Sequence, residues 1–308
     1  MDHNCAAILI LSCNRPERLE KLLENLRHNY MGKVYISVDK SRGTDSEKLL
    51  NEHKLIMKKG IGTNLLWIFR DQNYGIVKNL FESLDSILID NEACVVLEDD
   101  IEVDFEPLKS LIERIQQPLQ GSLMTIGLFG AIPYLPSRVL RKSNYWRTTK
   151  YFSAWCWAIR AESWNSFRLS TVSERWDAEL LNSDSWKALG RISRKAWSYR
   201  FSKIQLNPLF AWDYQFQYYS FKNNMTHMLP VIRAADNVGF SDSRSTNTKS
   251  SRPKWYLGMR YPDPIISELR NGGVSTFLIF IDSLTWIGDH WFAQKFSNLK
   301  RSLQNRKK

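Results

Sequence analysis

The chain has 308 residues, 43% of them hydrophobic, which is enough to bury a substantial core and excludes a disordered polymer. Its 43 basic and 32 acidic side chains give a net charge of +11, unevenly spread: residues 1–110 hold 14 basic and 19 acidic groups, the remainder 29 and 13. Such a balance suits anionic partners, with different chemistry expected at the two parts.

The first hundred residues alternate short apolar runs with amphipathic stretches, the pattern of strand–helix units that build a mostly parallel sheet. Ala6–Leu11 predicts a buried strand. In Pro16–Arg27, Leu19, Leu22, Leu23 and Leu26 recur at helical spacing, and Pro16 suits a first turn. Val34–Val38 is the second strand, Ser46–Met57 a helix, Leu65–Phe69 the third strand, Tyr74–Ile89 a helix and Ala93–Leu97 the fourth strand. Beyond it, the alternation in Ile101-Glu102-Val103-Asp104-Phe105 predicts continued extended chain.

The second part is more basic and more aromatic: eleven of twelve tryptophans follow residue 145. Residues 187–203 carry six basic side chains and no acid, as do residues 293–308. The apolar run Thr276–Ile281 is interrupted by Asp282 and falls far short of the roughly 20 residues a spanning helix needs. Ala6–Leu11 is too short, and too closely preceded by Asp2, for a secretory signal. Cys5, Cys13, Cys94 and Cys156 show no Cys-x-x-Cys pairing, which argues against a zinc ribbon or disulfide framework. The expected home is a reducing cytoplasm.

Parallel sheets take ligands beyond the carboxyl ends of their strands, so the residues after each strand bear the chemistry. After the first strand comes Cys13-Asn14-Arg15-Pro16-Glu17, without the glycines of a dinucleotide turn or the Gly-Lys-Ser/Thr of a P-loop. Gly60 and Gly62 precede a strand instead of following one, and read as a loop. After the fourth strand stand Glu98-Asp99-Asp100, then Glu102, Asp104 and Glu106. Crowded carboxylates repel unless a cation sits among them, and Mg²⁺ or Mn²⁺ takes oxygen ligands while sharing its shell with a diphosphate. A solvated acidic loop is the bland alternative; the position at the binding edge of the sheet favours the metal.

These residues carry a family resemblance. Val95-Val96-Leu97-Glu98-Asp99-Asp100-Ile101-Glu102-Val103 resembles the metal motif of GT-A glycosyltransferases, most of all the N-acetylglucosaminyltransferases of N-glycan branching and bacterial family 2 and HlpA-like sugar transferases. The similarity spans about residues 5–245. It implies an α/β, Rossmann-like, mostly parallel sheet flanked by helices. Residues 1–110 would form the nucleotide-sugar half, 111–245 the acceptor and catalytic half of the same domain, and 246–308 a basic, aromatic acceptor-side extension. It also implies Asp100 as metal ligand, with Glu98 and Asp99 nearer the ribose and sugar. Asp39, in Ser37-Val38-Asp39, would contact the nucleobase, with Arg15 and Asn73 beside the nucleotide. Asn237-Val238-Gly239-Phe240-Ser241 is similar to the loop that closes over the donor, which brings in Phe240 and Ser241. Trp212-Asp213-Tyr214-Gln215 resembles the segment that supplies the base of inverting members. Phe152–Ala158 resembles their aromatic Gly-x-Gly-Trp segment without its glycines, and Ser245-Thr246 stands where relatives often place a histidine.

The resulting expectation is a Mn²⁺- or Mg²⁺-dependent, inverting hexosyl- or N-acetylhexosaminyltransferase. It would move a sugar from a nucleotide-diphosphate donor, UDP-sugar favoured, to a saccharide or lipid-linked acceptor. Each residue keeps a plainer reading. Asp213 could cap a helix, Arg15 could pair with Glu17 or Glu20, and Trp155 and Trp157 could be split between core and surface. His227 and His290 read as structural or exposed. The run 187–203 could be a solvated helix face, an acceptor face or a nucleic-acid patch. Trp286, Trp291 and Phe292 with the basic tail could rest on anionic lipid at the inner face of a membrane. The alternatives to transfer are a nucleic-acid-binding protein or metal nuclease, and a sugar-binding GT-A domain without catalysis. No nucleic-acid reader motif is present, and none is expected to bind.

Overall fold

The computed structural model describes residues 6–61, 64–119, 121–129, 145–170, 177–208, 210–230, 233–240, 242, 244 and 270–271. The predicted elements appear in order: β1 (Ala7–Ser12), α1 (Pro16–Arg27), β2 (Val34–Val38), α2 (Ser46–Lys59), β3 (Leu65–Phe69), α3 (Gly75–Asp90) and β4 (Ala93–Glu98). Gly60 ends α2 in the left-handed region, at φ 60°, where a side chain would be strained.

β1 and β4 read as unbroken apolar runs because they lie inside the sheet with both faces covered. Their side chains divide with period two. Ala6, Ile8 and Ile10 pack with Leu19, Leu22, Leu23 and Leu26 of α1, while Ala7, Leu9 and Leu11 pack with Val77, Leu80, Leu84 and Ile87 of α3. β1 pairs in parallel with β2 and β4, and β2 with β3, so these four strands end at one edge.

Past Asp100 the chain is extended as expected through Asp104, and departs from the expectation at Phe105. β5 (Ile101–Val103) is only three residues, and α4 (Phe105–Gln116) follows at once, with Asp104 in extended backbone as its N-cap. The apolar period changes there: Leu108, Leu111, Ile112 and Ile115 are buried at helical spacing, which claims Phe105 for the helix.

The second part adds β6 (Leu123–Gly127), β7 (Tyr145–Thr149), β8 (Trp157–Arg160), α5 (Ala161–Arg168), α6 (Ala178–Asn182), α7 (Asp184–Lys187), α8 (Arg191–Leu206), α9 (Trp212–Lys222), β9 (Thr226–Pro230), β10 (Ala235–Asn237) and β11 (Arg270–Asn271). One nine-stranded sheet runs β11-β7-β9-β6-β8-β4-β1-β2-β3, and β10 pairs with β5 in a separate ribbon. Five of the sheet's eight ladders are parallel; the antiparallel ones are β4–β8, β6–β8 and β7–β9. The fold is α/β and Rossmann-like, with helices on its faces. A third core of Tyr151, Trp186, Trp197, Phe201, Tyr218 and Phe221 joins α7, α8 and α9. No helix among the described residues is long and apolar enough to cross a membrane.

Candidate functional site

Two backbone bonds carry the sheet one step past its strands. The Asp39 amide donates to the Ser12 carbonyl at 2.8 Å, and the Asp99 amide to the Leu11 carbonyl at 3.0 Å. Asp39 and Asp99 therefore flank the chain at Cys13, whose thiol is pushed up to about 12 by burial and by these two carboxylates.

Asp99 and Asp100 are buried, at 4% and 3% exposure, and one side chain bridges them. Arg15, immediately before α1, places its guanidinium 2.6 Å from Asp99 Oδ1 and 2.8 Å from Asp100 Oδ2. It does not pair with Glu17 or Glu20, which meet Arg244 and Lys59. Asp99 Oδ2 also accepts from the Ser12 hydroxyl at 3.0 Å, and Ser12 Oγ lies 2.9 Å from Nε2 of the buried His53. Burial, opposed by Arg15, brings the Asp99 carboxyl up to about 6. Glu98, at the end of β4, is held above the ordinary glutamate range by burial, then by Asp100 and Asp99, and also by Asp213.

Asp213 thus belongs to the same electrostatic neighbourhood, although 113 positions separate it from Asp100 in the sequence. It sits in the first turn of α9, where its own and Tyr214's backbone N–H groups favour the ionised form. Burial outweighs them and the nearby Arg200, and raises it to about 6. The helix that presents it is fixed by packing: Trp212 stacks on Trp157 at 5.4 Å between ring centroids, and Gln217 Oε1 accepts from the Phe152 amide at 2.8 Å.

A strap covers the acids. The Val238 amide donates to the Asp100 carbonyl at 2.9 Å, and Asn237 Oδ1 accepts from the Gly239 amide at 2.8 Å. Gly239 presses so closely that a Cβ there would lie 2.0 Å from Asp100 Oδ2 and 3.0 Å from the Arg15 guanidinium. Phe240 is half-buried with its ring edge-on to Trp155, 5.8 Å away; Trp155 is half-buried against the core and Trp157 lies fully inside it, so neither stands on an open surface. Ser241 lies outside the described residues. Asp242 pairs with Arg18 at 3.0 Å and with Arg244, which holds it down to about 2. Arg244 reaches Glu17 at 2.6 Å, and its carbonyl accepts from the Asn14 side chain at 2.8 Å.

The opposite side of the edge is built from backbone. Asp39 Oδ1 accepts from the Tyr74 amide and Oδ2 from the Gly75 amide, both at 2.8 Å, at the start of α3. Asn73 ties two loops together, donating to the Lys40 carbonyl at 2.6 Å and accepting from Arg42 at 2.8 Å. These residues make no direct bond to the acidic cluster; Cys13 lies between the two groups.

Against known proteins, no family model matches the sequence and no curated protein does. Solved structures overlay in part. A mannosyltransferase from Pyrobaculum calidifontis, in complex with GDP-mannose and Mn²⁺, gives a TM-score of 0.41 at 11% identity over 71% of this chain and 70% of that one. A mannose-1-phosphate geranyltransferase from Thermus thermophilus gives 0.39 at 11% over 76% of each. A nucleotide-diphospho-sugar transferase from Desulfovibrio desulfuricans gives 0.30 at 10% over 66% and 76%. Likeness at this level concerns the layering of strands and helices and says nothing of this chain's chemistry.

Asp100 Oδ1 is buried without a hydrogen-bond partner, and an orphaned anionic oxygen fits a hard divalent cation. Among the described residues no three His, Cys, Asp or Glu side chains converge to hold a metal alone. A cation here would complete its shell with ligand oxygens and water. His227 takes no part: it is buried, lowered to about 3 by burial, and 2.7 Å from Thr125 Oγ1 through Nδ1. Sequence reasoning missed the ion pairs from the strap to α1 and the Ser12–His53 contact, since pairs 41 to 227 positions apart leave no local pattern. It also missed that Cys156 takes a left-handed backbone, φ 50°, in the segment whose expected glycines are absent.

Proposed function

We propose that the protein is an inverting glycosyltransferase of the hexosyl or N-acetylhexosaminyl class, using a nucleotide-diphosphate sugar, UDP-sugar favoured, and a saccharide or lipid-linked acceptor. The observation that carries this reading is the buried pair Asp99 and Asp100 at the end of β4, with one oxygen of Asp100 left unpartnered; Asp213, in the first turn of α9, adds to the field that raises Glu98.

Asp100 would hold Mn²⁺ or Mg²⁺ through its unpartnered oxygen. Such a cation supplies charge neutralisation at a departing diphosphate. Arg15, poised beside the acids, is placed to turn toward phosphate oxygens, and Asp39 and Asn73 form the rigid end for the nucleoside. Glu98 keeps its proton further into the neutral range than an ordinary glutamate and can donate to a sugar hydroxyl. The acceptor oxygen bonds to the anomeric carbon as the bond from that carbon to the phosphate oxygen breaks. The nucleoside diphosphate leaves with the electron pair, and Asp213 takes the acceptor's proton. A carboxylate titrating near 6 is ionised at neutral pH yet basic enough for this work, which is worth roughly 10²- to 10⁴-fold. Phe240, on the strap, would cover the donor together with Ser241, its neighbour in the sequence.

Calorimetric binding of nucleotide sugars, with and without Mn²⁺, tests the reading. Mn²⁺-dependent donor binding should disappear in Asp100→Ala. Asp213→Asn should keep donor affinity and lose transfer by roughly 10²- to 10⁴-fold. Donor binding indifferent to both Mn²⁺ and Asp100→Ala would overturn it.

A further inference from the structure

The outward face of α8 has no role in the site. Inward, α8 commits Ala196, Trp197, Phe201 and Ile204 to the core. Outward, Ile192, Tyr199 and Leu206 fall seven residues apart, so two helical turns return them to one stripe. They are 53%, 46% and 83% exposed, and Phe210, just past the helix, is 56% exposed. Arg191 and Lys195 are exposed beside this stripe and Arg194 further round the exposed face, and no acidic residue occurs between Asp184 and Asp213.

A solvated face gains nothing from a stripe of four large apolar side chains, and no nucleic-acid reader motif accompanies the charges of this helix. An anionic bilayer accepts both kinds of group: apolar side chains enter the acyl boundary while cations stay with the headgroups. We propose that the outer face of α8, with Phe210, docks this protein on an anionic lipid surface. Phe210 stands three residues before Asp213, and α8 packs on the helix that bears that carboxylate. Docking there sets the candidate base beside the membrane. The binding itself does not rest on the transferase reading; only this last consequence does.

The test is flotation of the full chain with vesicles of phosphatidylglycerol in phosphatidylcholine, and of phosphatidylcholine alone, without donor. Each surface cation contributes about a fivefold gain in partitioning, so the triple variant Arg191→Gln/Arg194→Gln/Lys195→Gln should bind anionic vesicles about a hundredfold more weakly. High salt should weaken wild-type binding in the same direction. Ile192→Ser/Leu206→Ser/Phe210→Ser should also lose most binding with its charges intact. Circular dichroism and Tm, unchanged in these surface variants, show that they fold. The proposal is overturned if both variants bind vesicles as wild type does, which would leave the basic tail as the anchor. It is equally overturned by absence of binding to anionic vesicles, or by a serine variant that binds normally while single-stranded oligonucleotide binding tracks the lost charges. Donor calorimetry on the same variants reports the transferase reading separately.

Discussion

Asp39 and Asp100 are both buried carboxylates at one edge of one sheet, yet they are satisfied by different means. Each oxygen of Asp39 accepts a backbone N–H at the head of α3, so folding of that helix alone completes its hydrogen bonding. Asp100 has one oxygen on the Arg15 guanidinium and one on nothing. A carboxylate held by backbone is part of the scaffold. One held by a side chain on rotatable bonds can be released to a ligand, and its support is a single residue.

That contrast breaks most sharply at Arg15. Removing one partner of a buried ion pair costs about 3–5 kcal/mol, because the remaining charge is stranded. Arg15→Ala strands Asp99 and Asp100 together, whereas no single side chain supports Asp39. The sign with pH follows from Asp99, which titrates near 6 with Arg15 present and higher without it. Below that value Asp99 holds its proton in both proteins, and its share of the deficit closes. As pH rises through 6 the wild-type carboxyl ionises and gains the pair, so the deficit of the variant opens. Urea denaturation in metal-free buffer between pH 5 and 8 should show this widening gap; a gap constant with pH would mean that Arg15 supports the fold by packing.

Gly239→Ala attacks the same acids from the other side. Its Cβ would sit 2.0 Å from Asp100 Oδ2, and Asp100 cannot swing away without leaving Arg15. Overpacking of this kind costs about 1–3 kcal/mol, seen as a lower urea midpoint. Nothing comparable touches Asp39. Unchanged stability would mean that the strap lifts off the acids with ease.

How much of this arrangement was legible in sequence follows from how local its causes are. β1 through β4 and their helices announce themselves, since Leu19, Leu22, Leu23 and Leu26 keep helical spacing and the strands are continuous apolar runs. The acids at the end of β4 were visible for the same reason. In the second part, β8 is inserted antiparallel between β4 and β6, and β9 lies between β6 and β7. Such an order rests on contacts between distant residues, and strands of four or five residues give little periodicity to read. Arg15 was marked for the site, but its reach across two carboxylates was not, because Asp99 and Asp100 lie 84 and 85 positions away. In sequence the α8 face reads as a charge run, and its apolar stripe is legible only once the inward positions Ala196, Trp197, Phe201 and Ile204 are fixed.

Asp39→Asn sharpens the comparison with a smaller effect. The carboxamide keeps one acceptor and turns an NH₂ toward the amide of Tyr74 or Gly75, leaving one buried N–H unpaired at a cost of about 1–3 kcal/mol. The Arg15 bridge should be intact in this variant, so Mn²⁺ dependence of donor binding should persist even if nucleotide affinity falls. Loss of that dependence would show that the two sides of the edge are coupled through Cys13.

Arg244→Ala should do least to stability. The Arg244 side chain is 43% exposed and its partner Glu17 55% exposed, and exposed ion pairs contribute about 0–1 kcal/mol; its more buried partner Asp242 keeps Arg18. Three anchors of the strap survive the change: the Val238 amide on the Asp100 carbonyl, the Arg18–Asp242 pair, and the Arg244 carbonyl, a backbone group, on Asn14. The small deficit should vanish at high salt, because screening removes from the wild type what the substitution removed from the variant. A deficit above about 2 kcal/mol, or one that persists in salt, exceeds what exposed pairs supply. The strap would then be seated from its outer end, and the close contact of Gly239 with Asp100 would be a result of that anchoring and not its cause.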